Sequence, residues 1–286
     1  MVAQQARGGP VKNRIRQRNA GLIATAVATV IFILPFIFIF LMAVKTKQQA
    51  ALFLFDWPVK WQFWQNVVDV AKTRNYMLLL AYFNSTIITV GAVALLVIFG
   101  AMVGYILQRR PSGWNKLIYA GALVGLMVPP AVVPTIWVLQ GLGLFKTIHG
   151  MILIQVAYGL AFSVLLYRSF IGTIPRALDE AAIIDGAKPL QVFFKVILPL
   201  LRPVTVTLIV VQSIAIFNDF TNPLYYLPGK ENVTVQLTLF NFQSQFQSQY
   251  NLLFMNILLV TIPPLLVFIF FNRQIVAGMT AGGVKG

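Results

Sequence analysis

Apolar residues along this chain come in runs too long for a soluble core helix, separated by short polar segments. Gly21 to Val44 carries no charged residue, and as a helix it would rise about 36 Å, enough to cross a bilayer. Five further runs follow: Met77 to Leu107, Lys116 to Gln140, Met151 to Gly172, Leu201 to Leu227 and Asn251 to Phe271. Backbone polar groups in hydrocarbon must be satisfied within the segment, so the runs predict an all-α polytopic membrane protein with six transmembrane helices. Residues 1–20 then form a basic tail, 21–271 the transmembrane domain and 272–286 a C-terminal tail. Gly8, Gly9 and Pro10 beside Arg7, Lys12, Arg14, Arg16 and Arg18 predict a disordered tail resting on anionic lipid. The first run exceeds a signal peptide's apolar core and no clean cleavage site follows it, so it reads as a retained span, kinked at Pro35.

Interruptions within the runs carry further information. Gly91, Gly100 and Gly104 in the second run permit close helix packing, which matters where lipid supplies no hydrophobic drive. Pro129, Pro130 and Pro134 break the third. Carbonyls freed by prolines are tolerated at membrane depth only against protein or a wet cavity, so this segment is expected to line a pathway. The segment from Lys45 to Asn75 holds Trp57, Trp61 and Trp64. They read first as interface anchors, with sugar stacking or contact with a binding protein as the alternative. Six spans put both termini on one side, together with fifteen of the 22 lysines and arginines. The positive-inside rule therefore predicts cytoplasmic termini and a cytoplasmic loop at about 173–199.

Composition narrows the function classes. The chain is 58% hydrophobic and only 10% charged, too little charge to solvate a globular surface. The net charge of +15 flanks apolar spans, which fits lipid head groups and argues against nucleic acid. There is no cysteine and a single histidine, His149, so neither a metal site nor a Ser/His/Asp set is expected. No phosphate-cradling Gly-Lys-Ser/Thr loop is present. The chain is expected to be no enzyme, with no cofactor of its own.

The remaining chemistry lies in Pro175 to Pro199, PRALDEAAIIDGAKPLQVFFKVILP, which holds three of the seven acids, Asp179, Glu180 and Asp185. Thr173 is expected to cap a helix begun by Pro175. Gly186 is expected to stop it, with Lys188 and Pro189 starting a second. Leu178, Ala181, Ala182 and Asp185 can share one face, where small alanines admit another surface. Glu180, Ala181 and Ala182, three residues, Gly186, nine residues, then Val196, Ile197, Leu198 and Pro199 form a pattern of fixed spacings. It resembles the cytoplasmic coupling loop of membrane permease subunits of ATP-binding-cassette importers.

The resemblance implies partners: a second permease subunit (expected to be a paralogue), two ATPase subunits that bind ATP and Mg, and an extracytoplasmic solute-binding protein. It assigns Asp179, Glu180, Ala181, Ala182, Asp185 and Gly186 to ATPase coupling. It also implies a bacterial cytoplasmic (inner) membrane location. The family usually has Trp-Asn where this chain has Phe217-Asn218, followed in pattern by Asp219 and Pro223. Asn84, Pro130, Pro134, Asn218 and Asp219 are the expected pathway residues. An ionisable Asp219 within a span is a functional hypothesis by default, and a simply wet carboxylate near the interface is the alternative. The loop after span five carries Phe240, Asn241, Phe242, Gln243, Gln245 and Phe246. Amides and aromatic faces there suit a sugar or a sugar-binding partner, and the family implies contact with the binding protein.

The ending Asn272 to Gly286, with Pro129-Pro130, Gly141-Leu142-Gly143-Leu144 and Asp185-Gly186-Ala187, is similar to the carbohydrate-uptake branch, the type of the second maltose-system permease. The expected substrate is a sugar or oligosaccharide. A non-sugar, acidic or phosphorylated substrate is the alternative. An ion-gradient-driven secondary transporter with Asp219 as its ion site is a further one.

Overall fold

The computed structural model describes residues 10–242 and 248–283, and every regular element among them is helical. The helices Ala24–Val44, Phe63–Arg109, Ile148–Ile171 and Tyr250–Asn272 are long and apolar enough to cross a membrane. A fifth crossing results if Pro189–Leu200 and Arg202–Phe217, bent by 74°, act as one span. The third apolar run divides into two short helices, so the six runs appear as four unbroken helices, one bent pair and one split pair. The chain forms two compact units, Met1–Val70 with Phe242–Leu258 and Ala71–Asn241 with Leu259–Gly286.

In the first unit, α1 (Pro10–Val44) starts at Pro10, where a disordered tail was expected. Proline fits a first helical position because the amide hydrogen it lacks would be unpaired there. Most of the apolar length of α1 is exposed, Phe32 at 73%, and burial begins at Leu41. There the chain turns through α2 (Lys47–Ala50), capped by Thr46 Oγ1 accepting from Gln49 N. A buried polar knot holds the turn. Lys45 Nζ donates to Leu54 O at 2.8 Å and pairs with Asp56, while Asn66 Nδ2 donates to Ala43 O at 2.7 Å and Lys45 O at 3.0 Å. Asn251 Nδ2 donates to Asn66 Oδ1 at 3.0 Å. Buried amides satisfied in this way fix one arrangement of the backbone. Trp57, Trp61 and Trp64 are exposed.

The second unit is built on the part of α3 (Phe63–Arg109) that follows Val70. Its regular part begins after Thr73 to Tyr76, where three consecutive residues adopt positive φ. From Met77 the helix packs on α6 (Ile148–Ile171) through small residues. A Cβ at Gly100 would lie 2.8 Å from Ser163 Cβ, and one at Gly104 would lie 2.9 Å from Tyr167 Cβ and 3.0 Å from Arg168 N. The glycines thus set the interhelical distance. Beside α6 lies α4 (Gly113–Met127), with the Arg168 guanidinium 3.7 Å above the Tyr119 ring, a cation–π contact. The chain breaks at Pro129-Pro130 and resumes as α5 (Val132–Gly141). Pro134 falls in the first turn of α5, where a missing amide hydrogen costs no internal bond, so only the first two prolines interrupt the helix.

After α6 come α7 (Ala177–Ile184), α8 (Pro189–Gln191), a π-helical turn Val192–Ile197 and α9 (Leu198–Leu200). Pro199 has no amide hydrogen for a regular bond, and Leu198 N reaches back five residues to Phe193 O, which widens the turn. The expected fifth span, Leu201 to Leu227, ends early: α10 (Arg202–Phe217) stops at Asn218, and α11 (Thr221–Tyr226) follows separately. A 3₁₀ turn Gln236–Phe242 precedes α12 (Tyr250–Gly283), which runs past residue 272 without a break. Within α12, Pro263 cannot donate to Leu259 O, and Tyr82 Oη supplies the missing hydrogen at 2.6 Å.

Candidate coupling site and pathway residues

The segment after α6 is a short hairpin with a buried base and an exposed tip. Its base belongs to a cluster of Ala101, Tyr167, Ile171, Val192, Phe193, Ile197, Leu201, Val204 and Leu208. Ala182, Ala187 and Ile174 pack against that cluster. The side chains of Glu180, Ala181, Ile183, Ile184 and Asp185 face outward, Ile184 with 84% of its surface exposed. Exposed isoleucines beside a carboxylate on an eight-residue helix make a tip suited to insertion into a partner.

The ends of α7 differ in part from expectation. Thr173 does not cap it: Thr173 Oγ1 donates to Phe170 O at 2.7 Å, closing α6, and the residue before α7 is Arg176 with no side-chain cap. Asp179 and Glu180 fall in the first turn, where carboxylates favour the helix dipole. Gly186 ends the helix at φ +82°, with open space around the position of a Cβ. The constraint on Gly186 is therefore backbone handedness alone. Lys188 N donates to Gln191 Oε1 at 2.9 Å and opens the second leg.

The six coupling residues do not form one surface. Asp179 turns inward and is buried. Tyr105 Oη donates to its Oδ1 at 2.6 Å, and Arg109 Nη2 lies 2.9 Å from its Oδ2. The same Nη2 donates to Ile174 O at 3.0 Å. Ala182 is also on the inner side, so Glu180, Ala181, Asp185 and Gly186 remain at the tip. Arg109 is a structural partner that sequence reasoning missed; the signal available was an acid in a short helix needing a nearby cation. A cavity of about 250 Å³ opens beside the pair, lined by Arg110, Arg176, Glu180, Ile183 and Pro189 among others.

The expected pathway residues are dispersed. Pro130 and Pro134 are exposed at the split between α4 and α5. Asn84 is buried, and its Nδ2 donates to Glu231 O and Val233 O, both at 3.0 Å. Asn218 is exposed and its Oδ1 accepts from Gln236 Nε2 at 3.0 Å. Asp219 is half-buried between α10 and α11, accepting from Gln155 Nε2 at 2.5 Å and Asn222 Nδ2 at 2.7 Å through Oδ2. Its Oδ1 accepts from Asn222 N at 3.2 Å. The carboxylate braces α11 against α6.

In the loop after α11, Phe240 is exposed and stacked on Phe220 with centroids 5.3 Å apart. Asn241 is half-buried with its amide 3.4 Å from Met77 Sδ, and Phe242 is buried. Gln243, Gln245 and Phe246 lie outside the described residues. His149 is exposed in the first turn of α6, and the described residues contain no cluster of potential metal ligands.

Comparison with known proteins decides the family. Residues 96–280 match the model of the binding-protein-dependent transport system inner membrane component. The chain belongs to that family. The coupling hairpin lies wholly within the matched region. The chain is 29% identical over 269 residues to the melibiose/raffinose/stachyose import permease protein MelC of Bacillus subtilis, covering 93% of this chain and 95% of that one. It is 31% identical over 260 residues to the diacetylchitobiose uptake system permease protein NgcG of Streptomyces coelicolor, covering 89% and 84%. The probable starch degradation products permease AmyC of Thermoanaerobacterium thermosulfurigenes is 31% identical, with 91% and 94% covered. In fold, the family member resembles a chain of a bacterial ABC transporter that imports the acidic polysaccharide alginate. The TM-score is 0.80 at 20% identity, over 94% of this chain and 99% of that one.

Proposed function

We propose that this chain is a transmembrane permease subunit of an ATP-binding-cassette importer, translocating a sugar or oligosaccharide delivered by an extracytoplasmic binding protein. The observation that carries the reading is the exposed Glu180–Ala181 tip on a base sealed into the core, in a chain matched nearly end to end by sugar import permeases. In this reading the split pair and the bent pair each count as one span. Six spans then place both termini and the hairpin in the cytoplasm of a bacterial cell, beside two ATPase subunits and a second, paralogous permease. Glu180 accepts a charge-assisted hydrogen bond from a basic residue of the ATPase, and Ala181 lets the helix seat closely. ATP and Mg are held by the ATPase subunits, and their closure rocks the spans between inward-facing and outward-facing states. Asp219, already engaged by Gln155 and Asn222, supports this reading over an ion-driven one.

The test is uptake by proteoliposomes containing the full complex and its binding protein. Uptake should require ATP and persist when ion gradients are collapsed. Glu180→Ala and Gly186→Val should each lower uptake at least about tenfold, the effect of 1.4 kcal/mol, while the permease still inserts. Wild-type uptake in both variants would remove the hairpin from the mechanism.

A further inference from the structure

Helix α3 is clamped at two distant points, and the clamps differ in kind from the apolar packing between them. Near its C-terminal end, Tyr105 and Arg109 stand one turn apart on one face and take separate oxygens of the Asp179 carboxylate. The hydrogen bond to Oδ1 is directional, whereas Arg109 holds Oδ2 by charge as an ion pair. Arg109 also holds Ile174 O, so the start of the hairpin is gripped by backbone and side chain together. Both charges are nearly removed from water, with side chains 9% and 12% exposed. Burying such a pair contributes little net stability, because desolvation offsets the attraction; its more specific effect is to fix geometry.

Near the other end, the buried Asn84 amide holds two carbonyls of the loop after α11, Glu231 O and Val233 O. Its neighbour Ser85 accepts Val235 N through Oγ at 3.0 Å. From Asn84 to Arg109 the helix is unbroken, a rise of about 38 Å at 1.5 Å per residue. Gly100 and Gly104 seat it tightly on α6, so it moves with little internal give.

We propose that α3 is a push rod joining the coupling hairpin to the external loop, with Asp179, Arg109 and Asn84 as its positioning residues. This rests on the importer reading above and adds the path of the signal. Displacement of the α7 tip is passed through the Asp179 carboxylate into the last turn of α3 and emerges at residues 231–235. The path is reciprocal: a binding protein pressing on the loop biases the hairpin by the same free energy.

The experiment uses the assembled complex in proteoliposomes with its binding protein, measuring substrate moved per ATP hydrolysed and the ATPase rate with and without loaded binding protein. Asp179→Asn and Arg109→Gln should lower the transport-to-hydrolysis ratio about two- to thirtyfold, the range carried by such links, while the ATPase subunits still co-purify. Arg109→Lys, which keeps the charge beside Asp179, should recover more of the ratio than Arg109→Gln. Asn84→Ala should lower the stimulation of hydrolysis by loaded binding protein. An unchanged ratio in both single variants, loss of ATPase co-purification in either of them, no recovery in Arg109→Lys, or unchanged stimulation in Asn84→Ala would each overturn the rod. Absence of ATP-driven uptake in the wild-type complex would instead sink the importer reading itself.

Discussion

Lys45 and Asp56 show how much a single side chain can decide. Lys45 is completely buried, and its ammonium, hydrogen-bonded to Asp56, holds that carboxyl below its ordinary value of 3.8. A carboxyl lowered in the folded state contributes stability above the unfolded value and loses it as pH falls through the folded one. The segment from Lys45 to Asp56 should therefore be closed at neutral pH and loosen progressively below 3.8. Trp57 and Trp61, with ring centroids 6.4 Å apart, should report the change as an acid transition in fluorescence, absent in Asp56→Asn. The charge pattern in the sequence predicted neither this pair nor that of Asp179 with Arg109. Partners eleven and seventy residues apart meet only through the tertiary fold. Gly186, by contrast, was legible as a helix stop because its demand is local, a left-handed backbone.

Among the elements, close packing of α3 on α6 gives the firmest expectation. Gly104→Ala would place a Cβ 2.9 Å from Tyr167 Cβ and 3.0 Å from the Arg168 backbone, and backbone does not yield as a side-chain tip does. Overpacking of this kind costs about 1–3 kcal/mol, which should appear as a lowered melting temperature in detergent. Gly121→Ala, where nothing lies within 4 Å, is the control. Helix α6 was readable from apolar length almost to its ends, and the split at Pro129-Pro130 from proline chemistry. The early start of α1 was not, because loose composition in residues 1–20 says little about a helix continued from an apolar span. Nor was the stop at Phe217, since Asn218-Asp219 bonds its own downstream backbone and ends α10 without a glycine or proline at the break.

For the molecule as a whole, the absence of cysteine makes sidedness directly measurable. Single cysteines at Val59 and Ile184, 91% and 84% exposed, should label from opposite faces in intact cells, Val59→Cys from outside and Ile184→Cys only after the membrane is opened. Labelling of both from the same side would contradict the six-span topology. The hairpin also carries a lesson in charge. Glu180 and Asp185 stand exposed at its tip, while Arg110, Arg176, Lys188 and Lys195 are exposed at its base and along its second leg. A uniformly basic surface would meet repulsion from the base, and a uniformly acidic one from the tip. A partner whose own charges alternate with matching spacing would meet attraction at both, so the charge order along the hairpin should favour one orientation of approach.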